Sequence, residues 1–480
     1  MGTARRDPAG LCGGGVTVAG PFSTARPPTL LDHLLIVGFL LGIYLDVAVH
    51  LPGGVPVPAI LAGATGGLLL LKHAGRISER QVLALVGVVV VLLLSTLTAP
   101  DYGYLRERFK GVIQFAYSLT IGYGFFIAAA QYDRDRLARP FLWFCLVIVA
   151  GCALENFVPA VRNLSDGFRS VAFSSSNVYS ADLRDQILYG RIRPKLFTSE
   201  PSAVTFAYTL FAFVWYVLST ARWKLFGFLG FLTAGYLLMR GPSLLLGFAT
   251  IPLYEILLAP RRGPPENVRY DTAAIMRSTT AAAFLAVGGV FAAATLYQER
   301  IADILSGQDP SFFSRIIAPA LTAFKVVAEH PVSGAGLTGW EYIETIVQQI
   351  YAASDALSTD YYFDNAATAL TNFFWLHWIF LGLFWGVVLL LALSFFLRAL
   401  GAPSLLFCWT VWAVFGQSSG GYVDPRTWIV LILACAASVI ADRDARMADA
   451  MRLRSFWGRT PAAAPAPPQG SQPELTLGTS

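Results

Sequence analysis

The 480-residue sequence predicts an all-α fold: a polytopic transmembrane helix bundle of about 12 spans with a large, partly helical extracytoplasmic loop. Three observations predict it. Charged residues make up 14% of the chain, where soluble domains carry roughly 25%. The residues AVILMFWYC make up 55%, and mean hydropathy is +0.57. Apolar runs of about 20 residues recur along the length, enough for spans that use half the chain. Length alone points to two or three soluble domains, and composition overrides that prior. A water-soluble enzyme, a disulfide-stapled secreted protein and a disordered chain are excluded for the bulk of the sequence.

Residues 1–29 are Gly/Pro/Arg-rich and lack the apolar core and cleavage site of a signal peptide, so they read as a cytoplasmic tail. Apolar runs follow near 31–51, 55–71, 82–99, 112–130, 141–160, 202–219, 225–239, 242–259, 279–297, 371–397, 403–420 and 427–441. Inside a bilayer each segment must satisfy its own backbone groups, so these runs are expected to be helices. The transmembrane domain thus covers 30–441, with long outer loops at about 162–200 and 298–370. Loops of that length are uncommon unless they serve a function. In the second, Ile317, Leu321, Phe324 and Val327/Ala328 recur at helical spacing, with Ser314 as the expected N-cap and Pro331 as the stop. Residues 442–480, which include PAAAPAPPQG, read as a largely disordered cytoplasmic tail.

Charge sets the expected orientation. With the N-terminus inside, 21 of the 35 Lys+Arg fall on the cytoplasmic side, and the remainder lie mostly in the two long loops. Short connections therefore place both termini in the cytoplasm. Arg106, Arg108 and Lys110 fall outside against that trend, which marks them as candidates for an anionic ligand. The net charge of +5 reports topology and implies no nucleic acid. Cys145, Cys152, Cys408 and Cys435 lie in apolar runs without CxxC or His pairing, so no disulfide framework, metal site or cofactor is expected.

The most informative stretch is RIRPKLFTSEPS (191–202). Arg191, Arg193 and Lys195 precede Glu200 just before a span. Guanidinium forks suit phosphate oxygens, and a carboxylate beside them suits a base that takes a proton from an incoming hydroxyl. The alternative is snorkelling at the membrane edge, with Glu200 paired to Arg193. Arg240 lies in a tight outer turn between two apolar runs, where a charge is costly unless it meets water, a headgroup or a ligand. Arg315 opens the loop helix, a poor place for the helix dipole and a good one for an anion. Asp364, next to Asn365, is a second base candidate, and His330 an accessory one. His33, His50 and His377 read as packed polar residues. Asp46 and His50 would share a helix face, and Glu155 lies near the outer end of its span. No chain of acids crosses the membrane, which argues against a proton-coupled pathway. Gly334, Gly336 and Gly339 match GxGxxG, but no strand precedes them, and a tight loop closing the helix is the better account.

The chain resembles the O-antigen ligase and O-antigen polymerase superfamily of bacterial inner-membrane glycan-assembly proteins. Four stretches carry the resemblance: RPKLFTSEPSAVTF (193–206), MRGPSLLLGF (239–248), SRIIAPALTAFKVVAEHPVSGAGL (314–337) and TNFFWLHWIFLGLFWG (371–386). The likeness covers most of 31–440. In the fourth stretch Asn372 and Gly382 keep the family's spacing, but Thr371 stands where ligases show His. That departure favours a repeat-unit polymerase over a ligase.

The resemblance implies a donor and an acceptor glycan carried on polyprenyl diphosphate, membrane lipids as surroundings, and chain-length regulator and flippase proteins as partners. It implies that Arg193, Arg240 and Arg315 grip the diphosphate, with Arg191 and Lys195 beside them. Glu200 or Asp364 then takes the acceptor proton, with Asn372 and His330 as accessories. No Asp-x-Asp occurs in the outer loops, which fits metal-independent transfer, and direct attack by the acceptor would invert the anomeric centre. Three rivals stand: a ligase passing glycan to a lipid or protein acceptor; a transporter for lipid-linked oligosaccharide, which predicts inverted repeats and a midplane polar cavity; and a non-catalytic scaffold of an envelope complex, which predicts dispensable outer arginines.

Overall fold

The structure, a computed structural model, describes residues 28–51, 55–173, 179, 181–241, 243–258, 309–354 and 366–457, with residues 276, 280, 302 and 306 as isolated positions. It is mostly helical. The helices are α1 (Leu30–Leu45), α2 (Ile60–Lys72), α3 (Glu79–Leu97), α4 (Leu105–Ala129), α5 (Arg134–Phe157), α6 (Pro159–Ala172), α7 (Asp182–Tyr189) and α8 (Pro201–Leu218). There follow α9 (Lys224–Met239), α10 (Ser243–Leu257), α11 (Pro310–Glu329), α12 (Trp340–Ala352), α13 (Ala366–Ala369), α14 (Phe373–Ala399), α15 (Leu405–Gly416) and α16 (Pro425–Trp457).

Among the described residues seven helices are long and apolar enough to cross a membrane: α3, α4, α5, α8, α11, α14 and the first part of α16. Five shorter apolar helices, α1, α2, α9, α10 and α15, accompany them. Apart from Thr280, the run at 279–297 lies outside the described residues, as do residues 355–365 with Asp364.

Local chemistry explains the boundaries. Thr29 and Asp32 form a capping box that opens α1, and Ser78 with Gln81 does the same for α3. Pro201, whose φ is already helical, occupies the first position of α8. Apolar surface gains little by leaving lipid, so contact between membrane helices depends on close fit. Gly124 of α4 touches the Gly66 carbonyl of α2, a contact that any side chain would block. α8 and the first part of α16 form the buried centre, α8 packed by α5, α9 and α10, and α16 by α4 and α15. Fully buried Trp428 of α16 meets Phe115 at 4.4 Å and Tyr422 at 5.4 Å, and its indole N–H donates to the Tyr422 carbonyl at 2.7 Å.

Contacts sort the helix ends into two rims. At one, Lys72 pairs with Asp32 at 2.8 Å, Arg134 donates to the Leu218 carbonyl at 2.8 Å, and Arg443 donates to the Ala130 carbonyl at 2.7 Å. At the other, Arg426 pairs with Asp46 at 3.2 Å, and Tyr44 donates to the Leu196 carbonyl at 2.8 Å. This second rim carries the candidate site.

Four details differ from the sequence reading. The run at 55–71 starts as a strand: β2 (Val55–Val57) pairs antiparallel with β1 (Val49–Leu51), His50 opposite Pro56. Asp46 caps α1 in the left-handed region and His50 sits in β1, so the two share no helix face. The N-cap of the 310–329 helix is Asp309, which accepts from the Phe312 N–H at 2.6 Å, whereas Ser314 donates to the Pro310 carbonyl inside a π-turn (Phe313–Ile317). Finally, α14 is broken at Gly382 (φ 64, ψ −168), and the chain folds back so sharply that His377 Nε2 lies 3.1 Å from the Gly386 carbonyl.

Candidate functional site

The turn that carries the basic stretch is held by backbone contacts from buried side chains. Leu196 (φ 32) and Phe197 (φ 65) occupy the left-handed region, which costs a non-glycine residue about 1–2 kcal/mol. Glu155, at the end of α5 and 3% exposed, accepts the Lys195 N–H at 3.1 Å and the Leu196 N–H at 2.6 Å. Ser165 of α6 accepts the Phe197 N–H at 3.0 Å. Arg169, also of α6 and buried, donates to the carbonyls of Thr198 (2.8 Å), Ser199 (2.9 Å) and Tyr179 (2.9 Å). The 162–200 loop is therefore an ordered scaffold around 195–199 where it is described.

The cations of the stretch are not equivalent. Arg193 pairs with buried Asp185 of α7 at 2.8 Å, and Lys195 pairs with Asp182 at 2.7 Å and lies 3.8 Å from Asp166. Both already face carboxylates. Arg191 instead donates to the Leu237 carbonyl in the last turn of α9, and its buried Nε has no hydrogen-bond partner. Burial and the nearby Arg240 guanidinium both push the Arg191 pKa down. Arg240 caps α9 in the left-handed region (φ 50) and is exposed. The expected pairing of Glu200 with Arg193 does not form, since Asp185 takes that role. Glu200 is the exposed N-cap residue of α8, and its carboxylate accepts from the Ser202 hydroxyl.

A second cluster lies at the same rim. Arg315 donates to the Ser418 carbonyl at 2.9 Å. Asn372, fully buried, caps α14 through the N–H groups of Phe374 and Trp375. Its amide donates to the Arg315 carbonyl at 2.8 Å and to Gln417 Oε1 at 3.0 Å. The third and fourth stretches of the sequence thus meet at this asparagine. They meet again at Gly382, where the Ala335 N–H donates to the Ile379 carbonyl at 2.8 Å and the Leu383 N–H donates to the Pro331 carbonyl at 2.8 Å. Gly334 (φ 57) and Gly336 (φ 83) let the 330–339 loop lie in the break of α14. Buried Arg108 donates here through its terminal nitrogens to the carbonyls of Asp101 and Ala335, each at 2.8 Å, and of Pro100, while its buried Nε has no hydrogen-bond partner. Lys110 pairs with Glu107 at 2.8 Å. His330 Nε2 shares a 2.6 Å hydrogen bond with Tyr342, and His377 is a packed residue with both ring nitrogens engaged.

A chain of contacts connects the two clusters. Gly241, next to Arg240, touches Thr205 in α8; Phe206 of α8 meets Phe415 of α15 at 5.7 Å; and Ser418, just beyond α15, holds Arg315. Both clusters flank the first turns of α8, which begin at Glu200. Asp364 lies outside the described residues. Asp185, Asp182, Arg169, Gln417 and Tyr342 were not singled out by sequence reasoning. For Asp182 and Asp185 the signal was acidic spacing in the loop, three residues apart; the other three left none.

No protein-family model matches the chain, and no curated protein matches it.

Proposed function

We propose that the chain polymerises polyprenyl-diphosphate-linked oligosaccharide repeat units on the extracytoplasmic face of a bacterial inner membrane, by inverting, metal-independent glycosyl transfer. The observation that carries this reading is Arg191, which lies at this rim with a buried Nε that has no hydrogen-bond partner and with Arg240 near enough to disfavour its charge. A guanidinium N–H left buried without an acceptor suits an anion with several oxygens, and a diphosphate provides them. The charge count turns this rim outward. The apolar helices beneath give the lipid tail its place, and water above gives the sugars theirs.

In the reaction the acceptor hydroxyl attacks the anomeric carbon of the donor. The bond from that carbon to the diphosphate oxygen breaks, and the electron pair leaves with the diphosphate. Arg191 and Arg240, with Arg315 across α8, stabilise the developing charge. Glu200 takes the hydroxyl proton. Holding two large glycans in register supplies much of the rate.

The test uses purified full-length protein in liposomes with a synthetic polyprenyl-diphosphate oligosaccharide, with and without a chelator. The expected product is a ladder of repeat units, one polyprenyl diphosphate released per linkage, unchanged by chelation. A single transfer to an added acceptor without a ladder shifts the reading to a ligase. Substrate crossing the bilayer without any new linkage overturns enzymatic transfer.

A further inference from the structure

A groove of about 780 Å³ lies at the opposite rim, between α1 and α5, lined by His33, Val37, Arg136, Arg139, Trp143 and Val147 among others. α5 packs against α8 whereas α1 packs chiefly against α2, and the two make little contact with each other, which leaves the groove between them. Its floor includes Phe144, whose ring meets Phe211 of α8 edge-on at 5.4 Å.

The wall formed by α5 has an ordered chemistry. Arg136, Arg139, Trp143 and Val147 follow at steps of three, four and four, so they form one ridge about 16 Å long. The ridge runs from cationic through aromatic to aliphatic. Across from it, His33 and Val37 of α1 repeat the polar-to-apolar order one turn apart. The apolar members lie open: Val37 is 41%, Trp143 64% and Val147 62% exposed. Arg136 pairs only loosely with Asp133, at 3.5 Å on an exposed surface. Arg139 is exposed and has no hydrogen bond or ion pair among the described residues.

We propose that this groove binds an anionic glycerophospholipid, with its phosphate on Arg136 and Arg139 and an acyl chain along Val37, Trp143 and Val147. The sequence of charge, interfacial aromatic and aliphatic surface matches a phospholipid from headgroup to tail. Two arginines without a strong acidic partner select a net negative headgroup over a zwitterionic one, whose ammonium offsets its phosphate. Basic pockets between membrane helices recognise lipids by this chemistry.

The experiment is native mass spectrometry of the full-length protein, titrated with phosphatidylglycerol, phosphatidylcholine or polyprenyl phosphate. Wild type is expected to hold phosphatidylglycerol in preference to the other two. The variant R136Q/R139Q is expected to bind it about 30-fold more weakly, roughly fivefold per arginine, with phosphatidylcholine binding unchanged. Val147→Trp, which fills the groove and leaves both arginines intact, is expected to weaken phosphatidylglycerol as well; it reads out the site if the double variant fails to fold. Equal retention of phosphatidylglycerol by wild type and all variants overturns the proposal, as does a preference for phosphatidylcholine or for polyprenyl phosphate.

Discussion

Replacing Glu155 with glutamine keeps the length of the side chain and the helix propensity of α5, but alters what the 195–199 turn rests on. Both carboxylate oxygens accept backbone N–H groups, from Lys195 and Leu196. Glutamine offers one oxygen and turns an N–H₂ group towards the other donor. One charge-assisted bond, about 1.5–3 kcal/mol, is lost and one buried N–H is left without a partner. The left-handed residues Leu196 and Phe197 still carry their strain, about 1–2 kcal/mol each, with less to hold them. A net local loss of about 2–3 kcal/mol raises opening of the turn roughly 30- to 150-fold. Hydrogen–deuterium exchange of peptides covering 190–200 reads this directly. Glu155→Gln should speed exchange there by one and a half to two decades, while α14 and α16 keep wild-type protection. Unchanged exchange at Lys195 and Leu196 refutes the clamp, and uniform acceleration over the whole chain refutes its local character.

Gly382→Ala is expected to lose most of the folded protein on size-exclusion chromatography, because the residue has φ 64 and its new Cβ would stand 2.6 Å from the Gly334 nitrogen and 2.9 Å from the His330 carbonyl oxygen. Asn372→Asp keeps the α14 cap but removes the donor that serves Arg315 and Gln417; unfolding in detergent should show a loss of about 1–3 kcal/mol, and a loss near zero contradicts the network. Glu200→Gln should cut polymer formation at least about 100-fold while leaving donor affinity within a factor of two, as a base that touches only the acceptor requires. A Glu200→Gln enzyme with wild-type turnover removes that residue from the chemistry.

Long apolar runs made the helical class legible, since a bilayer leaves the backbone few alternatives. Charge made legible several residues of one rim: Arg191, Arg240, Arg315 and Glu200 were all singled out, and a path of contacts runs from Gly241, beside Arg240, through α8 to Ser418, which holds Arg315. The partition of roles among the cations was not legible. Arg193 and Arg191 are two residues apart, yet one is neutralised by Asp185 and the other is not, and only the fold of α7 decides that. Arg108 read as an anion binder and became a buried clamp, because its partners Pro100, Asp101 and Ala335 are backbone carbonyls, which leave no trace in residue type. The break of α14 was hidden for a similar reason. A glycine inside an apolar run is tolerated in many membrane helices, and the loop that fills the break at Gly382 begins some fifty residues earlier, at His330.

The most direct test of the central claim measures the affinity of the purified full-length protein for polyprenyl diphosphate, against polyprenyl monophosphate, in wild type and in Arg191→Gln and Arg240→Gln. The account predicts tighter binding of the diphosphate by wild type, at least tenfold weakening in each variant, and a combined variant that no longer separates the two lipids. Wild-type affinity in both single variants, or equal affinity of the native chain for the two lipids, contradicts it.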